Sequence, residues 1–165
     1  ALLRCRQHPG PIALLLTGWG DRWGDPEAQV IVPGIETDYV EMADGAIRGR
    51  LREIKIREDA LYRVSVAVAA RGYPGNTDAV RGKRIFGLET VLKMPYVRVY
   101  GAGLIVENDG FYAGGSRLVH IVGEGATLAQ ARDRAYAAVE EIRGEDDCIH
   151  YRRDIGLLDL RAAQS

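Results

Sequence analysis

At 165 residues and 47% hydrophobic content, the chain has one domain's length and enough apolar material for a core, the profile of a soluble globular protein. Twenty-two Lys and Arg against 23 Asp and Glu leave a formal charge of −1, so no global field recruits nucleic acid or an anionic membrane. No stretch approaches the ~20 apolar residues of a membrane-spanning helix, and Cys5 and Cys148 stand far apart without a CxxC, the pattern of a reducing compartment and a cytoplasmic address.

Residues 1–24 read as irregular, with a short strand at 12–17 bracketed by HPGP and GWGDRWG. Arg4 and Arg6 before IALLL mimic a signal peptide, but the apolar run is five residues long and no small-x-small site follows. The chain opens on Ala rather than Met, as a processed, trimmed or partial product would. A helix is expected from Asp25 as N-cap, with Pro26 in the first turn and Glu27 near the positive end of the dipole. Pro33-Gly34 stops or kinks it, and Thr37 or Asp38 caps a second helix carrying Tyr39, Val40 and Met42. The charged stretch 48–59 reads as a solvated linker or short helix.

From about residue 61 the character changes to strands: YRVSVAVAA, then the turn-rich RGYPGNTD, then YVRVYGAGLIV to the turn ENDG, and FYAGGSRLVHIVG returning. A meander of three or more strands is expected. TLAQARDRAYAAVEEIRG carries an apolar stripe at helical spacing, with Thr127 and Gln130 as a capping box, Arg143 in the last turn and Gly144 closing it. CIHYRRDIG then reads as a short strand running into a loop. The fold class is α+β.

His120 lies in an apolar strand without a second ligand at metal spacing and reads as a packed core residue. The GAG at 101–103 and AGG at 113–115 lack the strand, turn and helix order of a dinucleotide fingerprint, and glycines in strands mark bulges or close packing. RRD at 152–154 is an anion site or a surface turn. Tyr73-Pro74 is a candidate cis bond in a glycine-flanked loop, either a structural turn or one whose amides approach a ligand.

In order along the chain, RWGDPEAQV resembles the RFGDPE(A/T)Q signature of the phosphoribosylamine–glycine ligase family, and VAVAARGYPG, GKRIFGLE, GGSRLVHIVGEGATLAQARDRAYAAVEEI and YRRDIG resemble the family's later motifs. The likeness covers about residues 22–156. It implies the tail of an ATP-grasp module over residues 1–60 and a β-rich C-terminal domain with one long packed helix over 61–165. It also implies an ATP-dependent ligase of purine biosynthesis that joins glycine to phosphoribosylamine, with ATP and Mg²⁺ as cofactors. Arg22 and Asp25 would be the catalytic pair; Gly24, Pro26, Glu27, Gly72, Tyr73, Pro74, Arg153 and Asp154 would bind substrate.

The family's magnesium-holding Glu-x-Asn pair aligns with Gly18 and Gly20, which offer no side-chain oxygen, so the metal ligands are not carried over. Two functions follow: the C-terminal part of the ligase, working with a separate ATP-grasp chain, or a non-catalytic binding or partner-docking module derived from that domain.

Overall fold

A β-branched run makes the central strand. The computed structural model describes residues 27–162. In it β1 (Tyr62–Ala70) lies between β6 (Arg117–Gly125) and β8 (Ile149–Tyr151), and β3 (Val97–Gly101) pairs with the far side of β6. All these pairs are antiparallel. The period of two sends Val64, Val66 and Val68 to one face, with Ile121 opposite Val66 and Gly123 opposite Val64. The other face carries Arg63, Ser65 and Ala67, with Glu124 opposite Arg63 and Val122 opposite Ser65.

On the valine face lies a helix, Leu128–Glu141, which follows helices of five, nine and four residues earlier in the chain. In chain order these are α1 (Glu27–Ile31), α2 (Tyr39–Ile47), α3 (Leu88–Val91) and α4 (Leu128–Glu141), with α5 (Leu157–Ala162) after them. Ala131, Ala135, Ala138 and Val139 of α4 join Val64, Val66, Val68 and Ile121 in one core. The docking is backbone on backbone: a Cβ on Gly123 would lie 2.2 Å from the Ala131 oxygen and 2.4 Å from the Ala135 nitrogen.

Thr127 caps α4, its hydroxyl accepting the Gln130 amide at 3.2 Å, while the Gln130 side chain accepts the amide of Ala126 rather than of Thr127. The helix ends at Glu141, ahead of the expected Arg143 and Gly144. Ile142 is extended and buried, and Arg143–Gly144 forms β7, where sheet pairing to β2 (Arg84–Phe86) replaces further helical hydrogen bonds.

The expected meander gives way to a second antiparallel sheet, β4-β5-β2-β7, built with β4 (Leu104–Glu107) and β5 (Gly110–Ala113). Each long strand expected over 96–106 and 111–123 is two strands, one per sheet, broken at Ala102-Gly103 and at Gly114-Gly115-Ser116. At that crossing a Cβ on Gly103 would sit 2.8 Å from Gly115 Cα and 2.6 Å from the Arg117 oxygen. Gly103, Gly114 and Gly115 therefore serve close packing, whereas Gly101 has open space beside it, and no local pattern marks strand β2 or helix α3.

Pro33 falls in a 3-10 turn, Val32–Gly34, that ends α1, and Asp38 rather than Thr37 caps α2, its carboxylate accepting the Val40 amide at 2.7 Å. Thr37 instead accepts the Arg57 amide at 2.7 Å and donates to the Lys55 carbonyl. With Glu36 N to Arg57 O and Asp59 N to Gly34 O, both at 2.9 Å, these bonds make 55–59 a paired arm, while Leu51–Glu53 forms a short 3-10 helix, so of the expected solvated linker or short helix over 48–59 the helix is present and the far end is not a free linker. Arg63 ties this arm to the sheet: it donates to Asp59, to Glu124 at 2.8 Å and to the Pro33 carbonyl at 3.4 Å.

Candidate functional site

β1 ends in the glycine-flanked loop. The Arg71 amide donates to the Cys148 carbonyl at 2.7 Å, and its guanidinium grips the Asp147 carbonyl, the Asp147 carboxylate and the Ile149 carbonyl at 2.7, 2.5 and 3.3 Å. Gly72 has φ +102, and a Cβ there would lie 2.2 Å from the Asn76 oxygen, so glycine is required. The Tyr73-Pro74 bond is cis. Gly72, Tyr73 and Pro74 are exposed, but the amides of Tyr73 and Gly75 donate within the loop to Ala70 and Gly72, at 3.1 and 2.7 Å. The loop's outer surface is thus side chain, not a cradle of those amides.

Beside it, three successive acids are each engaged, one by a main-chain amide and two by basic side chains. Glu145 accepts the Arg84 amide at 3.0 Å, Asp146 pairs with Lys83 at 3.1 Å, and Asp147 pairs with Arg71. Asp146 and Asp147 hold φ near +50, which aspartate tolerates through its short polar side chain. Lys83, in GKRIFGLE, is therefore engaged with Asp146. Beneath them burial pushes the Cys148 thiol up from its ordinary pKa.

Arg153 and Asp154 lie beyond the other end of β8. Antiparallel pairing sets Ile149 against Ala70 and Tyr151 against Val68, so β8 runs away from the Gly72–Pro74 loop. The two patches thus sit beyond opposite ends of β8. Both oxygens of Asp154 accept from Arg152, at 2.9 and 2.6 Å, a bidentate pair that holds the Asp154 carboxyl below the usual carboxylate range. Arg153 stacks on the Tyr151 ring at 5.2 Å and faces Glu140 at 3.7 Å.

Glu27 opens α1 and is half-buried; α1 lies against β1 and β6. Arg22, Gly24, Asp25 and Pro26 lie outside the described residues. The site residues that sequence reasoning missed are those acting through the main chain or across strands: Arg71 and Asp147, Arg132 and Tyr136, and the Arg63–Glu124 pair. None left a clear signal: Arg63 and Glu124 alternate with the core-facing residues, positions where a charge is ordinary in a strand.

Residues 63–158, more than half the chain, match the family described as phosphoribosylglycinamide synthetase, C domain. The chain belongs to that family. Among relatives, the phosphoribosylamine–glycine ligase of Caldanaerobacter subterraneus subsp. tengcongensis is 36% identical over 134 residues, covering 81% of this chain and 30% of the relative. The chloroplastic phosphoribosylamine–glycine ligase of Arabidopsis thaliana is 33% identical over 145 residues, covering 87% and 26%. The crystal structure of the Thermotoga maritima phosphoribosylamine–glycine ligase superposes with a TM-score of 0.57 at 31% identity, over 79% of this chain and 30% of that one. This synthetase C domain thus spans less than a third of these relatives' length. Among its described residues, no helix is long and apolar enough to cross a membrane.

Proposed function

We propose that this chain is the C-terminal part of an ATP-dependent ligase joining glycine to 5-phosphoribosylamine in purine biosynthesis. The reading rests on the family match together with the relatives' names, and residues 1–60 continue an ATP-grasp module in it. Carboxylates are poor acyl donors, so ATP phosphorylates the glycine carboxylate. The phosphoribosylamine nitrogen then attacks the acyl carbon, the bond to the phosphate oxygen breaks, and the amine's proton leaves as the amide forms. The protein's part is positioning and charge neutralisation.

Arg22 offers a planar fork to the carboxylate or acyl phosphate, and Asp25 orients Arg22 or the incoming amine, next to a helix start that Gly24, Pro26 and Glu27 shape. Gly72, Tyr73 and Pro74, with Arg153 and Asp154, form two parts of a wall facing the ATP-grasp module. The reaction is assigned to the cytoplasm, or to a plastid as in the plant relative's name. Magnesium does not fit the residues in hand. Gly18 and Gly20 carry no side-chain ligand atoms, and among the described residues no three His, Cys, Asp or Glu side chains gather in a metal-holding group.

The test mixes this chain with the amino-terminal two thirds of the Caldanaerobacter relative and measures ATP-dependent glycinamide ribonucleotide. No product is expected from the chain alone and product is expected on mixing, with Arg22→Lys lowering the rate roughly a hundredfold, since lysine keeps the charge but loses the fork. If the relative's own C-terminal third restores activity and this chain does not, the ligase reading fails and a docking module takes its place.

A further inference from the structure

After β8 the backbone of Arg152–Ile155 has no strand partner. Its polar groups are met by two side chains of α4. Arg132 donates to the carbonyls of Arg153 and Ile155, at 2.8 and 2.9 Å. Tyr136 donates its hydroxyl proton to the Arg152 carbonyl at 2.8 Å and accepts the Ile155 amide at 3.1 Å. The Arg132 guanidinium lies over the Tyr136 ring at 4.4 Å, so the two act as one rigid unit.

Four hydrogen bonds thus set the peptide planes from Arg152 to Ile155, and with them the directions of three side chains that touch none of the core. Arg152, Arg153 and Asp154 are all exposed, and holding exposed charges in one geometry adds little to stability. What the arrangement does accomplish is placement. Among the described residues the Arg153 guanidinium donates no hydrogen bond; Glu140, at 3.7 Å, is an ion-pair neighbour only. Its planar fork is therefore available to a doubly accepting anion, while the neighbouring Arg152 is held by Asp154.

We infer that Arg132 and Tyr136 are positioning residues that shape the Arg152–Ile155 turn to receive a phosphate monoester on Arg153. The inference rests on the ligase reading, in which a substrate carries such a group, and it names two residues that reading did not contain. They touch main chain, not substrate.

The experiment titrates the 165-residue chain with ribose 5-phosphate and, separately, with AMP, following backbone amide shifts by NMR. Shifts confined to residues 151–156 are expected, and Arg153→Gln should remove them. Tyr136→Phe and Arg132→Lys should each weaken binding at least fivefold at a temperature where their circular dichroism matches the parent's, an effect that a purely structural role would not produce. If Tyr136→Phe does not fold, Arg132→Lys carries the test, because one ammonium cannot span both carbonyls. Ribose 5-phosphate shifting these amides without AMP assigns the turn to a sugar phosphate, the reverse to a nucleotide, and either supports the inference. Parent-like affinity in both folded clamp variants overturns the positioning role, and absence of shifts in the parent overturns the inference entirely. Neither result bears on the complementation assay, which measures turnover without a clamp variant, so the two failures are distinguishable.

Discussion

Arg63 shows what one charged residue does inside a strand. Its side chain is 5% exposed, and Glu124 opposite it is 8% exposed, yet the Glu124 carboxylate accepts from both Arg63 and Arg98, at 2.8 and 2.7 Å. Burial alone would lower the pKa of Arg63; the hydrogen bonds to Asp59 and Glu124 outweigh it and raise it. The same hydrogen bond from Arg63 holds the Asp59 carboxyl below the usual range, against the burial that would raise it. A carboxyl with a depressed native pKa stabilises the fold above the ordinary carboxylate value, near 4, and that contribution disappears as pH falls through the lowered native value. Asp59→Asn should therefore cost about 2 kcal/mol at pH 7, the size of a hydrogen bond to a charged group. The gap to the parent should begin to shrink as pH drops below about 4, where Asp59 of the unfolded chain protonates, and should close only as pH falls through the lowered native value. Urea midpoints of both proteins at pH 7 and pH 3 check this; a gap as wide at pH 3 as at pH 7 would assign Asp59 a role other than its charge.

Among elements, the seating of α4 on β6 decides the most. Leucines at such a junction would hold helix and strand about 10 Å apart, whereas Gly123 and Gly125 let the helix backbone touch the strand. Alanine at position 123 would put a Cβ into the Ala131 carbonyl and the Ala135 amide, backbone atoms that cannot rotate away. Gly123→Ala should cost about 3 kcal/mol or more, at the severe end of overpacking. Gly101→Ala in β3 is the control: no atom lies within 4 Å of its Cβ and its φ is not positive, so it should stay within about 1 kcal/mol of the parent. Equal denaturation midpoints for the two variants would show that α4 slides without resistance.

Over the whole molecule, the two sheets are sides of one core rather than separate units. Ile85 from β2 and Ala113 from β5 belong to the same buried cluster as Val66 from β1 and Val139 from α4. Two of the connections between the sheets, β3 to β4 and β5 to β6, pass through the Gly103–Gly115 crossing. A lesion in the smaller sheet should therefore weaken the larger one. Ile85→Ala, at a site 1% exposed, should cost about 2 to 5 kcal/mol. It should shift a single unfolding transition, with far-UV and near-UV signals moving together. Two separated transitions would show that the sheets unfold independently.

What the sequence by itself determined was local. The β-branched run of β1, the helical stripe of α4, the Thr127 cap and the Tyr73-Pro74 cis bond are properties of neighbouring residues, readable from propensity and spacing. The ordered motifs likewise carried the family, because they are strings and not contacts. Only the tertiary structure decided that residues 96–106 and 111–123 each divide between two sheets, since the reason is one glycine resting on another twelve residues away. It alone ended α4 at Glu141, because the partner of Arg143 is Phe86, in a strand too short to announce itself. The same holds for the turn at Arg153: Arg132 and Tyr136 look like ordinary helix positions until the chain brings three carbonyls and an amide within their reach. Periodicity reports which way a side chain points, and non-local packing decides what it meets there.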